Sequence, residues 1–215
     1  MAGESGPKTK YVSSGQMKTF IEIGVSTFET LQPLLDSGWF GIMVEPLPES
    51  FEAIPYHPNL IKENVAIDVK DGVETFLTLH NFDIYTQPDI VMGMCGFEKS
   101  FTPLHDEIYE FNKKKIQVRT MTLDSLIQKH SIKEIDLLKV DTEGHDVEIL
   151  MNYSFDVKPR VLKFEHIHVS GIENDYSLVG LDQIGMTKKY HELLERLQKM
   201  GYYVWIEQEN VYCVC

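Results

Sequence analysis

Three short apolar runs, MKTFIEIGV (17–25), WFGIMVE (39–45) and IDLLKVD (135–141), are continuous rather than alternating, and each stops at or beside a glycine or an acid. Continuous runs of this length mark strands buried on both faces of a parallel sheet. Parallel neighbours cannot be joined by a tight turn, so helices have to return the chain between them. The pattern confines the chain to the α/β class.

The intervening segments agree. Ser26 and Thr27 are placed to cap a helical stretch in which Phe28, Leu31, Leu34 and Leu35 share one side, with Pro33 as a kink and Gly38 as the end. PESFEAI (48–54) reads as a short helix, NLIKENVAI (59–67) holds a third strand, and GVETFLTL (72–79) an extra one. From Val118 come a short strand, a helix around TLDSLIQKH (122–130), and then VLKFEHIHV (161–169) as a strand after IDLLKVD. TKKYHELLERLQKM (187–200) sets Tyr190, Leu193, Leu194, Leu197 and Met200 on one stripe, and Gly201 supplies the left-handed stop. YYVWIEQ (202–208) and VYCVC (211–215), joined at Glu209-Asn210, predict a terminal antiparallel hairpin. Residues 1–15 are expected to be a disordered arm or a cloning remnant. Residues 16–215 then form a single domain, with an irregular insert at about 80–117.

Composition narrows the function. The net charge of −13 over 215 residues opposes a phosphate backbone, and the one basic run, Lys113 to Lys115, reads as a solvated loop, so no nucleic-acid partner is expected. No apolar run reaches the roughly 20 residues of a membrane span, and Cys95, Cys213 and Cys215 form no CxxC, which fits reduced, buried thiols and a cytoplasmic setting.

In a doubly wound sheet, ligands sit outside the carboxyl ends of the strands. The first such end is EIGVS (22–26), with Glu22 and then Gly24, where a backbone can approach a ligand closely. Glu45 closes the next strand, near the offset of about 20 residues at which an acid reaches a ribose diol. Together they indicate an adenosine-containing ligand. GxGxxG is absent, which leaves no pyrophosphate cradle and favours S-adenosyl-L-methionine over a dinucleotide. Two further polar groups border the crevice: Asp141, Glu143 and His145 beyond IDLLKVD, and Glu165, His166 and His168 at VLKFEHIHV. Strand alternation puts His166 and His168 on one face and Glu165 on the other. Any of Asp141, His145, Glu165, Glu143 and His168 could serve as the base or orient an acceptor, Asp141 ranking first.

IDLLKVDTEGHDVEIL (135–150), with LKVDTEG at its core, resembles the signature of the FkbM family of methyltransferases. FIEIGVSTFETL (20–31) is similar to that family's first cofactor motif, VEPLPESFEAI (44–54) to its second, NVAI (64–67) to the segment beside the adenine, and VRTMTLDSLI (118–127) to the strand and helix before the signature. Phe28 stands where the first motif has a further glycine. The resemblance implies a Rossmann-like methyltransferase fold, a doubly wound, mostly parallel seven-stranded sheet with a C-terminal antiparallel hairpin. It implies that S-adenosyl-L-methionine is the cofactor and S-adenosyl-L-homocysteine the product. It places Gly24 and Ser26 along the methionine part, Glu45 on the ribose, Asn64, Val65 and Ala66 around the adenine, and Asp141 beside the sulfonium. The implied acceptor is a sugar hydroxyl, as on a rhamnose or fucose of a glycan, with glycosyltransferases as companions or fusion partners. A lipid or polyketide hydroxyl, an inactive scaffold module suggested by Phe28, and a nicotinamide-dependent oxidoreductase are the rival readings. Asp141 and Glu165 could supply oxygen ligands to a divalent metal, though no spacing calls for one. Tyr85, Met94, Phe97, Phe101 and His105 in the insert are candidates for an acceptor wall.

Overall fold

Register in the central sheet follows from the buried runs. β1 (Thr19–Ile23) pairs in parallel with β2 (Phe40–Val44) on one side and with β8 (Leu137–Val140) on the other. The computed structural model describes residues 17–25, 31–79, 96–97, 113–166 and 183–215. β2 pairs in parallel with β3 (Leu60–Glu63), and β8 with β9 (Val161–Glu165). The hairpin of β10 (Tyr203–Glu207) and β11 (Asn210–Val214) docks through β11, antiparallel to β9. The result is a seven-stranded, mostly parallel sheet of order β10-β11-β9-β8-β1-β2-β3, doubly wound and closed at one edge by the C-terminal antiparallel hairpin, as expected. Strand order reverses between β1 and β8, which makes that junction the switch point.

One face of the sheet, with Ile21, Ile23, Ile42, Val44, Leu138, Val140, Leu162 and Phe164, packs on α3 (Leu123–Lys129), α4 (Asp146–Asn152) and α5 (Gln183–Lys199) in the main core. The other face packs Phe20 and Met43 against Leu35 of α1 (Gln32–Asp36) and against Ile54, which follows α2 (Pro48–Ala53). Gly41 is required there, because a Cβ on it would lie 2.3 Å from the Phe20 ring.

Several expectations change. Pro33 does not kink its helix but stands in the first turn of α1, where a missing N–H costs no hydrogen bond. NLIKENVAI divides: β3 stays in the main sheet, and Ala66–Ile67 becomes β4 of a second one. This four-stranded sheet has the order β4-β7-β5-β6, with β5 (Gly72–Leu79) antiparallel to β6 (Gly96–Phe97) and to β7 (Lys113–Met121). The Lys113–Lys115 run is therefore strand rather than loop, because pairing with Leu77–Leu79 satisfies its backbone while Lys114 and Lys115 keep their side chains exposed. Composition alone could not reveal that pairing. α5 begins at Gln183, earlier than its apolar stripe suggested.

Cys213 is buried and free, its thiol pushed up to about 12 by burial, whereas Cys215 is free but exposed, against expectation. Among the described residues no helix is long and apolar enough to cross a membrane.

Candidate active site

Glu22 and Lys139 are Cα partners across the switch point, so their side chains point to the same face. Both are buried, and the Lys139 ammonium donates to Glu22 Oε1 at 3.0 Å. It lies 3.2 Å from Asp141 Oδ2 as well, on a side chain that is 36% exposed. Burial by itself would lower the Lys139 pKa, but the charges and hydrogen bonds of Glu22 and Asp141 outweigh it and hold the group above its usual range. One cation thus bridges a sealed carboxylate and one facing outward.

The turn after β1 closes on the end of β8. Gly24 has φ +80°, and a Cβ built on it would fall 1.7 Å from the Asp141 carbonyl oxygen. Its N–H donates to the Val44 carbonyl at 3.0 Å, and that of Asp141 to the Ile23 carbonyl at 3.0 Å. Any side chain at position 24 would force these three strand ends apart.

At the end of β2, Glu45 is buried, and its Oε1 accepts from the Leu47 N–H at 2.9 Å, holding the turn into α2. Asn64 Nδ2 donates to the carbonyls of Glu45 and Pro46 at 2.9 and 3.1 Å. The Asn64-Val65-Ala66 segment, where the chain passes from one sheet to the other, is thereby fastened beside Glu45. Val65 and Ala66 have buried side chains.

Beyond β8 the chain reverses through two left-handed residues, Glu143 at φ 55° and Gly144 at φ 102°. Asp146, missed by the sequence reading, organises this turn. Its Oδ2 accepts from the Thr142 N–H at 3.1 Å and from the Thr142 hydroxyl at 2.6 Å, and its Oδ1 from the Glu165 N–H at 3.2 Å. Burial holds its carboxyl above the usual carboxylate range, against the lowering effect of the Thr142 bonds. Through Asp146 the ends of β8 and β9 are joined, and Glu165 is brought to the same turn.

His145 is buried, with Nε2 at 2.9 Å from Oδ1 of Asp68, a fully enclosed residue just after β4. The Phe97 ring meets the imidazole edge-on at 4.9 Å, and Phe76 backs Phe97 at 5.4 Å. Asp68 too was missed, although an acid directly following an apolar strand is the signal that singled out Glu45 and Asp141. His166 is buried elsewhere, its Nε2 donating to the Gln208 carbonyl at 2.9 Å and its ring stacked on Tyr190 at 5.7 Å. Ser26, Phe28, His168 and, of the suggested acceptor wall, Tyr85, Met94, Phe101 and His105 lie outside the described residues. Among the described residues no group of three or more metal-ligating side chains converges.

The Methyltransferase FkbM domain family matches residues 18–204. No curated protein matches the chain. Solved structures similar to it include the fibrillarin/Nop5p complex, at 12% identity, TM-score 0.40, covering 91% of this chain and 70% of that one. The Methanococcus jannaschii fibrillarin pre-rRNA processing protein is similar at 13% identity, TM-score 0.40, covering 92% and 65%. The METTL16 methyltransferase domain is similar at 11% identity, TM-score 0.41, covering 96% and 76%.

Proposed function

Since the chain belongs to the Methyltransferase FkbM domain family, we propose that it is an S-adenosyl-L-methionine-dependent O-methyltransferase whose acceptor is a sugar hydroxyl, such as that of a rhamnose or fucose in a glycan. The observation that carries the reading is the alignment of Glu45, Gly24 and Asp141 at the ends of three adjacent parallel strands, β2, β1 and β8, at the switch point. The donor set suits the cofactor: carboxylates for a diol and for a cation, and a glycine turn, in a sequence without GxGxxG.

Bound there, S-adenosyl-L-methionine would supply a methyl group on a sulfonium, already activated for transfer. Glu45 would take the ribose hydroxyls, Asn64, Val65 and Ala66 would border the adenine, and Gly24 and Ser26 would line the methionine part. Glu22 would act through Lys139. Asp141 Oδ2 is engaged by the Lys139 ammonium at 3.2 Å, and we assign Asp141 to orienting the ligands. What remains for the protein is to hold a hydroxyl in line and remove its proton. The sugar comes from the family's association with glycan pathways.

Isothermal titration with S-adenosyl-L-methionine, S-adenosyl-L-homocysteine and NAD tests the cofactor. Heat with the first two and none with NAD is expected. No heat with S-adenosyl-L-methionine at high micromolar concentration would sink the enzyme reading in favour of a scaffold module. A mass-spectrometric screen of glycosides then tests the acceptor, a gain of one methyl identifying it; methylation of lipid or polyketide alcohols alone would overturn the sugar.

A further inference from the structure

His145 carries one feature that packing does not account for. Its Nδ1 is buried and has no hydrogen-bond partner among the described residues. An ionised carboxylate can only accept, so the 2.9 Å contact with Asp68 places the ring proton on Nε2 and leaves the lone pair on Nδ1. Burying an acceptor unpaired costs free energy. The ring is held by Asp68 on one edge and by the Phe97 ring, itself backed by Phe76, in the turn that follows Asp141 at the switch point.

His166 is the useful control. It also leaves Nδ1 unpaired, but its Nε2 donates to a neutral carbonyl and its ring lies flat against Tyr190 of α5. A carbonyl cannot stabilise an imidazolium as a carboxylate does. Of the two, only His145 has a counter-charge waiting for a proton.

We infer that Asp68 and His145 form the proton-accepting dyad of the site, His145 as the catalytic base and Asp68 as its positioning residue. This rests on the methyltransferase reading. In the proton-transfer step the acceptor's O–H bond breaks and an Nδ1–H bond forms. The electron pair stays on the oxygen that will be methylated, and the resulting imidazolium faces Asp68 until its proton passes to solvent.

The test begins without an acceptor. In protein labelled with 15N-histidine at pH 8, the His145 Nε2 should show a protonated-type shift and Nδ1 an unprotonated one. Asp68→Asn should lose that preference and Asp68→Glu should keep it. A proton on Nδ1 in the wild type, or an unchanged tautomer in Asp68→Asn, overturns the dyad. With methyl rhamnoside and methyl fucoside as probes, His145→Gln should lower methyl transfer by about 10²–10⁴-fold, with calorimetric affinity for S-adenosyl-L-methionine within about 2-fold. Undiminished transfer would overturn it too. Failure of the wild type to bind the cofactor sinks the methyltransferase reading whatever the tautomer, so the two failures are told apart.

Discussion

Glu22 and Lys139 meet because sheet register makes them direct partners on adjacent strands, whereas Asp68 and His145 meet across two different sheets, 77 residues apart. Both pairs are buried, but they leave different residues of charge. In the first, Lys139 serves two carboxylates and the surplus negative charge emerges on Asp141. In the second, a carboxylate faces an imidazole that can gain a charge. One pair is built into the sheet's core, and the other is held where a second sheet leans over the switch point. A buried ion pair removed from a sheet centre should therefore cost mainly stability, and a carboxylate–imidazole pair removed from beside the switch point should cost mainly chemistry.

The largest expected effect is that of Lys139→Met. It strands the sealed Glu22 carboxylate without its cation, at a cost of about 3–5 kcal/mol in urea unfolding. Adding Glu22→Gln should recover much of it, since the remaining amide carries no charge to desolvate. A Lys139→Met variant as stable as wild type would erase the contrast between the two pairs. Next comes Gly24→Ala, whose Cβ collides with the Asp141 carbonyl in a backbone region that L-residues avoid. A loss of about 1–3 kcal/mol is expected, together with weakened binding of S-adenosyl-L-methionine by calorimetry, because the turn and the end of β8 would separate.

The contrast also explains what could be read in advance. β1, β2 and β8 are buried along almost their whole length, so their sequences are nearly continuous apolar runs in which Glu22 and Lys139 are the only charged residues, and those two neutralise each other. β10, β11 and α5 were visible from a stripe, a glycine and a turn. The second sheet was far less legible: β4 is two residues long, β6 is two residues long, and β7 starts on three lysines. Its strands exist because they pair, and pairing is a tertiary fact that no local pattern records. The same holds for the site. Asp141 and Glu45 end visible strands, whereas Asp68 follows a strand too short to see, so the partner of His145 stayed hidden. Asp146 is set apart from the chain's other acids by its bonds to Thr142 and Glu165, and the second of these is a tertiary contact.

Asp68→Asn should be the mild counterpart of Lys139→Met. The asparagine amide can meet Nε2 in either tautomer, through its oxygen or its N–H, and a neutral imidazole leaves no stranded charge, so about 1 kcal/mol of stability is at stake. Equilibrium urea curves of the two variants, recorded together, decide whether the crevice pair is structural after all: equal losses would say that it is.

The smallest effect is one of pH. Lys139 has a folded-state pKa above its ordinary 10.5, so the folded chain keeps its proton to higher pH than the unfolded chain does. The stabilisation is fully present below about 10.5 and is lost as pH rises through the folded value. Thermal melts of wild type should therefore fall faster above pH 10.5 than those of the Glu22→Gln/Lys139→Met double variant, which has no ammonium to lose. Parallel decline in the two proteins would mean that the alkaline loss comes from other groups, and that the register pair contributes less than its burial implies.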